Sequence, residues 1–297
     1  MTTSVPFRPA RILCPVDFSD LSDLALKYAA AGAAAFGATL VIFHAQRFIL
    51  PAYFTPGQIA ELTRQHRAEQ DRAKEFLRLH VRKTLGAQAN DLRMKFDLAD
   101  AHPVDAVLDA AKRHRADLIV MGTHGRGGAK RIWLGSVAEN VVRQAGVPVF
   151  TVRQKQHEFI DPSRPRNVPV LRAILCPVNF SPSARRSLEH AASLARQFNA
   201  RLVTVCILEP GDSRGLPEAK RELSSWLEQA DAMHGELEVL ARKGYAGERI
   251  VSLAAETKAD LIVMGGQNRS LLRTWRWGDT TEFVLRHAPA PVLVVPQ

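Results

Sequence analysis

Five glycines and three bases crowd into fifteen residues, GTHGRGGAKRIWLGS, from Gly122 to Ser136. The glycines stand at 122, 125, 127, 128 and 135, and the bases are Arg126, Lys130 and Arg131. Glycine tolerates positive φ and lets a backbone come close to a ligand. Ser136 opens an S-x-x-E pattern with Glu139, which reads as a capping box at a helix N-terminus. Such a terminus offers unpaired N–H groups and partial positive charge, which suit phosphate. The stretch has the chemistry of a polyphosphate cradle. Gly122 alone could merely end a strand, and Ser136 alone could merely cap a helix; the whole pattern carries the stronger reading. The usual phosphate motifs do not explain it. GxxxxGK[ST] is absent, and a dinucleotide fingerprint would follow the first strand, where the chain has PVDFSD.

A cradle needs a strand before it and a helix after it. ADLIVMG supplies the strand and SVAENVVRQA the helix. Upstream, RILCPV reads as a short buried strand. LSDLALKYAAAGAAAF reads as an alanine-rich helix stopped by Gly37, and ATLVIFHA as a second strand. Thr55-Pro56-Gly57-Gln58 has Pro at the first helical position and a T-x-x-Q pattern, opening a long charged helix to about Thr84. LRMKFDLA is a third strand, PVDAVLDAAKRH a helix, and VPVFTV the last strand. Continuous apolar strands alternating with amphipathic helices predict an α/β unit whose parallel sheet is covered on both faces. Ligands of such sheets bind beyond the carboxyl ends of the strands. Asp17, His44 and Gly122 all stand at such ends.

The unit occurs twice. ILCPVDFS at Ile12 returns as ILCPVNFS at Ile174, an offset of 162. ADLIVMG at Ala116 returns at Ala259, an offset of 143, so the second copy is 19 residues shorter between its second and fourth strands. The expected architecture is two tandem five-stranded, doubly wound, Rossmann-like domains, residues 1–153 and 170–297, packed as a pseudo-symmetric pair. Residues 154–169 are polar and proline-containing and read as an extended linker. The extra residues around LPAYFTPG read as either a lid or a contact surface.

The spacing Gly122, two residues, Gly125, nine residues, Gly135-Ser136 resembles the G-2x-G-9x-G-[ST] signature of the universal stress proteins. ILCPVDFS, VMGTHGRGG, LGSVAENVV and PVFTV resemble that family too, in two copies over nearly the whole chain. The resemblance implies an adenine-nucleotide alpha hydrolase-like fold and ATP as ligand, with Mg²⁺ as an optional companion. By position, Pro15, Val16 and Asp17 would line the adenosine end, and Ala45 would lie against adenine. Met121, Gly122, Gly125, Gly135, Ser136 and Val137 would surround ribose and phosphates. Arg126 and Lys130 are added from their charge, not from the signature. Pro103 is retained, but Ala101 replaces a frequent glycine.

The second copy departs at the same places. Asn268 replaces the second signature glycine, Asp279 the hydroxyl residue, Asn179 replaces Asp17, and Cys206-Ile207 replaces His44-Ala45. A carboxylate where phosphate would dock repels it by about 1 kcal/mol in water and more in a less polar site. One nucleotide site is expected, in the first domain.

Catalysis finds little support. No HExxH, close Cys/His cluster or GxSxG elbow occurs, and no residue stands out as a base for an attacking water. His124 reads equally as a phosphate contact or a solvated loop residue, and His44 as a core-edge residue. Trp133, Trp275 and Trp277 read as packing residues. The implied function is an ATP-binding stress-response or regulatory module acting on a protein partner. The alternatives are a non-nucleotide interaction protein and a slow ATPase. The net charge is +10, with no run of five like charges, which favours a solvated basic surface over nucleic-acid binding. Cys14, Cys176 and Cys206 form no CxxC pair and read as buried reduced thiols. With no leader pattern and no membrane-length apolar run, the expected setting is the cytoplasm, as an internal domain pair with scope for a further homodimer.

Overall fold

The computed structural model describes residues 7–46, 56–125, 134–153, 159–160, 169–229, 235–266 and 279–296. The strands of the first half are β1 (Arg11–Pro15), β2 (Thr39–Gln46), β3 (Arg93–Asp100), β4 (Leu118–Gly122) and β5 (Val149–Val152). Its helices are α1 (Asp20–Phe36), α2 (Pro56–Leu85), α3 (Pro103–Arg113) and α4 (Ser136–Gln144). The second half repeats this with β6 (Ala173–Pro177), β7 (Arg201–Leu208), β8 (Leu237–Lys243), β9 (Leu261–Gly265) and β10 (Val292–Val295). Its helices are α5 (Pro182–Phe198), α6 (Leu216–Gln229), α7 (Ala246–Glu256) and α8 (Asp279–His287).

The expected five-stranded parallel units are joined edge to edge into one sheet, ordered β3-β2-β1-β4-β5-β10-β9-β6-β7-β8. Among the described strands, only the seam, β5 with β10, is antiparallel. There Leu293 faces Phe150, flanked by Val292 with Thr151 and Val294 with Val149. Phe150 and Leu293 are 143 residues apart, the repeat offset, so a pseudo-two-fold axis passes between them. Phe36 and Phe198, 162 apart, meet edge-on at 5.9 Å across the same axis.

Successive strand residues point to opposite faces, and both faces are covered. Ile12 and Cys14 join a core with α1, α2, α5 and α6, whereas Leu13 joins a second core with α3, α4, α7 and α8. This is why the strands read as unbroken apolar runs. The three cysteines are buried free thiols. Burial pushes Cys176 up to about 12 and Cys14 higher still, so neither is a thiolate at neutral pH.

The turn into the first helix is built alike in both halves. Phe18 (φ 63) and Phe180 (φ 59) take the left-handed conformation. Ser19 and Ser181 then cap α1 and α5, accepting from Ser22 N and Ala184 N. Gly37 ends α1 in the left-handed region, as expected for a helix stop. The length difference falls largely on α2, which has 30 residues against 14 in α6. Leu50 to Thr55 lie outside the described residues, so the expected T-x-x-Q cap and the lid do too. In the segment expected to be an extended linker, Ile160 is buried and Phe159 packs edge-on against Tyr28 at 4.9 Å. Hydrophobic anchorage thus interrupts the polar run at the pair that breaks its composition.

Candidate functional site

Three chain segments converge at the carboxyl ends of β1, β2 and β4. Val16 N donates to Phe43 O at 2.8 Å, which ties the end of β1 to β2. Asp17 Oδ1 accepts from Ser19 N at 3.1 Å and from Ser19 Oγ at 2.6 Å, closing the turn into α1. On β2, His44 Nδ1–H donates to Val16 O at 2.6 Å, and its ring lies 4.7 Å from that of Phe18. From β4, Thr123 N donates to Val152 O at 3.0 Å, and Thr123 O accepts from Gly135 N at 2.8 Å. The glycine loop thus leaves Thr123 and returns to it.

These segments enclose a cavity of about 480 Å³, a volume within the range of small-molecule sites. Its lining includes Pro15, Val16, Asp17 and Ala45 together with Met121, Gly122, Gly125, Gly135, Ser136 and Val137. The other two residues singled out in the sequence, Arg126 and Lys130, lie outside the described residues, as do Gly127, Gly128, Asn268, Trp133, Trp275 and Trp277. The wall also includes residues that sequence reasoning did not assign to it: Ser22, His44, Val107, Thr123, Leu134 and Ala138. Val107 lies one turn beyond Pro103 on α3, so helical spacing from the retained proline would have found it. His44 was expected at the core edge; it is half-buried on the cavity wall because β2 outruns β1 at that end.

The described glycines meet packing demands of the protein itself. Gly122, Gly125 and Gly135 do not adopt positive φ. Each is small because protein atoms stand where a Cβ would be. At Gly122 that Cβ would be 3.1 Å from Leu21 O, so the glycine lets α1 sit against β4. At Gly135 it would be 2.9 Å from Thr123 O. At Gly125 it would collide with the Asp17 carboxylate.

The expected capping box is not formed. Gly135, extended at φ −64 and ψ 141, is the N-cap of α4 without a side-chain cap, and Ser136 is already helical. Gly135 takes the cap position because its own N–H is committed to Thr123 O. Glu139, which would have reached back, pairs instead with Arg143 one turn on, at 2.8 Å. The N–H groups of Ser136, Val137 and Ala138 precede the first intrahelical bond, Glu139 N to Gly135 O, and all three residues line the cavity.

His124 is not the solvated loop residue that was one reading of it. Its Nδ1 lies 3.0 Å from Thr123 Oγ1, and its Nε2 is buried with no hydrogen-bond partner among the described residues. Burial, with the Arg153 guanidinium as a second cause, lowers its pKa below the ordinary histidine value, so the ring is neutral at pH 7. An unsatisfied buried polar atom costs about 1–3 kcal/mol.

Unpaired donors at a helix terminus, among the described residues, and a largely apolar wall fit an anionic ligand with an apolar body. For a divalent cation the wall offers only the Asp17 carboxylate among the described residues. No group of three or more His, Cys, Asp or Glu suited to a metal occurs among them. Mg²⁺ would therefore depend on ligand phosphates and water, its usual habit.

The sequence model of the Universal stress protein family matches residues 10–153 and again residues 171–296. A universal stress protein of Methanocaldococcus jannaschii is 32% identical over 152 residues, covering 50% of this chain and 84% of the relative. One from Mycolicibacterium smegmatis is 23% identical with 96% of each chain covered, so it shares the double length. A crystal structure of a universal stress protein from Archaeoglobus fulgidus has the same fold, with a TM-score of 0.69, 22% identity, and 98% of this chain and 99% of that one covered. No helix among the described residues is long and apolar enough to cross a membrane. Two family matches in one chain, each on its own α/β unit, make this protein a tandem member of the universal stress protein family.

Proposed function

We propose that this protein is an ATP-binding stress-response module with a single nucleotide site, in a first domain of residues 1–153. A linker of residues 154–169 and a second domain of 170–297 complete the chain. The observation that carries the reading is the cavity. Ten residues singled out from the sequence line it together with three helix N–H groups that have no hydrogen-bond partner among the described residues. In this reading the phosphates lie at the start of α4, and adenine lies toward Val16 and Ala45. Phosphate oxygens would accept from the N–H groups of Ser136, Val137 and Ala138, where the helix dipole favours negative charge. Arg126 and Lys130 would add full positive charge. Mg²⁺, when present, would screen the phosphates. The second domain would not bind ATP, since Asp279 opens α8 where Ser136 opens α4. Binding would alter a surface read by a regulatory protein partner in the cytoplasm, and the chain would pair its domains internally with a further homodimer as an option.

The test is calorimetric titration with ATP, joined to mass spectrometry of the protein as purified. One site per chain is expected. Two sites would refute the lapsed second domain, and none would leave the interaction-protein reading in place. Turnover of radiolabelled ATP above background would favour the slow ATPase.

A further inference from the structure

The length excess of the first half falls largely on α2, and the outer face of that helix has a pattern that α6 lacks. The inner face buries Leu77, Val81 and Leu85. On the opposite face Phe76 and Leu79 are 56% and 55% exposed. They are two of the five exposed large apolar residues among the described ones, and they stand one turn apart. Phe76 rests against the Phe18 ring at 5.1 Å, so it is held in place while most of it meets solvent. On α6 the one exposed large apolar residue is Leu216, at its first position.

The charges beside this pair are ordered. Glu69, Arg72, Glu75, Arg82 and Lys83 are all exposed. Positions 69, 72, 76, 79 and 83 follow the alternating three-and-four spacing of a coiled-coil seam, and Glu75 and Arg82, seven apart, lie along one flank of it. Such a seam is self-complementary when two chains lie antiparallel. With a two-fold axis between Phe76 and Leu79, each Phe76 meets Leu79 of the other chain. The same flank of both helices then adjoins, so each Glu75 meets Arg82 of the other chain, twice by symmetry. Arg72 comes opposite Lys83 at the ends of this apolar centre, with Glu69 one turn away and long stems that reach water. A parallel pair brings opposite flanks together and leaves the Glu75–Arg82 pairs unmade. The exposed Glu75–Arg78 pair within the chain, at 3.5 Å, is too weak to compete. The sheet edge of β5 is already taken by β10, so a further chain needs another surface.

We infer that the outer face of α2 is a homodimer surface, an antiparallel helix pair about a two-fold axis between Phe76 and Leu79, with Glu75 and Arg82 setting its orientation. This deepens the homodimer option above by giving it a surface. It does not depend on the nucleotide site, whose titration is read separately. Because α6 lacks the pattern, the association closes at two chains.

The experiment is sedimentation velocity of the full chain, from dilute solution to the highest soluble concentration. A single helix pair is a small interface, so the native dimer should be weak and fill only at the upper end. Glu75→Arg and Arg82→Glu each set like charges together twice, and each should weaken the dimer about tenfold or more. An equimolar mixture of those two variants should associate more tightly than either alone, and both changes in one chain should restore native association. Phe76→Ser with Leu79→Ser should be monomeric. All four residues are exposed, so urea denaturation should show native stability in every variant; the mixture keeps the test informative if the serine variant folds poorly. A native chain that stays monomeric overturns the inference and leaves the ridge to its own chain or an unlike partner. A native dimer that these variants leave unchanged overturns it too, as does a mixture that pairs no better than its components.

Discussion

The two halves share a frame and differ in the chemistry mounted on it. Asn179 Oδ1 accepts from Ser181 N at 3.3 Å and from its Oγ at 2.7 Å, as Asp17 does with Ser19. The turn survives the loss of charge, since an amide oxygen closes it as well as a carboxylate does. Gly265 repeats Gly122: its Cβ would be 2.7 Å from Ser183 Oγ and 2.9 Å from Ala184 N at the start of α5. What differs is the set that lines the cavity in the first half. His44 has become Cys206, a buried thiol. Around the turn, Phe18 meets His44, Phe76 and His80, whereas Phe180 meets Trp226 and lies 5.5 Å below the Arg214 guanidinium. Arg214 is held by Asp212 and Glu222, both at 2.7 Å, and its hydrogen bonds hold the Asp212 carboxyl down to about 2. The comparison divides one signature into two jobs. Gly122 and the Asx turn position α1 and are needed by any copy of the fold. Gly125 makes room for the Asp17 carboxylate, and both residues change together in the second copy, to Asn268 and Asn179.

The largest effect should come from the shared frame. Gly265→Val and Gly122→Val each push a branched side chain into a helix start, and overpacking costs about 1–3 kcal/mol or more. Urea denaturation should show the greater loss for Gly265→Val, whose contacts are tighter. A Gly122→Val protein of native stability would mean that this glycine serves a ligand alone.

Acid should act on the second half through one buried histidine. His190 of α5 stands where Tyr28 stands in α1 and stacks on Phe7 at 4.4 Å. Burial first, and Arg186 second, lower its pKa to about 4. Between about pH 6.5 and pH 4 the unfolded chain takes up a proton that the folded chain refuses, so stability falls as pH drops through that window, by about 3 kcal/mol. His190→Tyr, borrowing the residue of the other half, should flatten that part of the melting-temperature profile. An unchanged slope would assign it to other groups.

Exchanging one cavity-lining residue should come next. Ser136→Asp puts the second half's residue into the first and should weaken ATP about tenfold or more through charge repulsion. Titration at native affinity would show that the phosphates lie elsewhere.

The smallest effect is a coupling. Gly125→Ala should cost about 1 kcal/mol as its methyl meets Asp17, and Asp17→Ser in the same protein should return part of it. Additive losses in this double-mutant cycle would show that the two residues are independent.

Much of this was legible in the chain. The parallel strands and the helices on both faces follow from the unbroken apolar runs, and the cavity residues follow from where each strand ends. The unread parts depend on contacts between distant residues. The partner of Gly122 is Leu21, about a hundred positions away, so a glycine needed for helix packing looks like a glycine kept for a ligand. The Ser136–Glu139 pattern suits a capping box, but the tie from Gly135 to Thr123 moves the cap back by one residue. Nothing local to THG says whether His124 faces water. Phe159 and Ile160 stand in a polar stretch and show their role only once Tyr28 is opposite them.

The antiparallel seam between β5 and β10 has an evolutionary and quantitative meaning. Identical chains meeting at such an edge would carry every substitution twice, and their pairing would depend on concentration. Here the partner is covalently attached, so the pairing is an intramolecular event that dilution does not undo. Each cell therefore holds the two halves at a fixed one-to-one ratio. A change such as Ser to Asp at the start of the last helix falls on one side of the axis only. The single chain can hold an asymmetry that a symmetric dimer cannot encode.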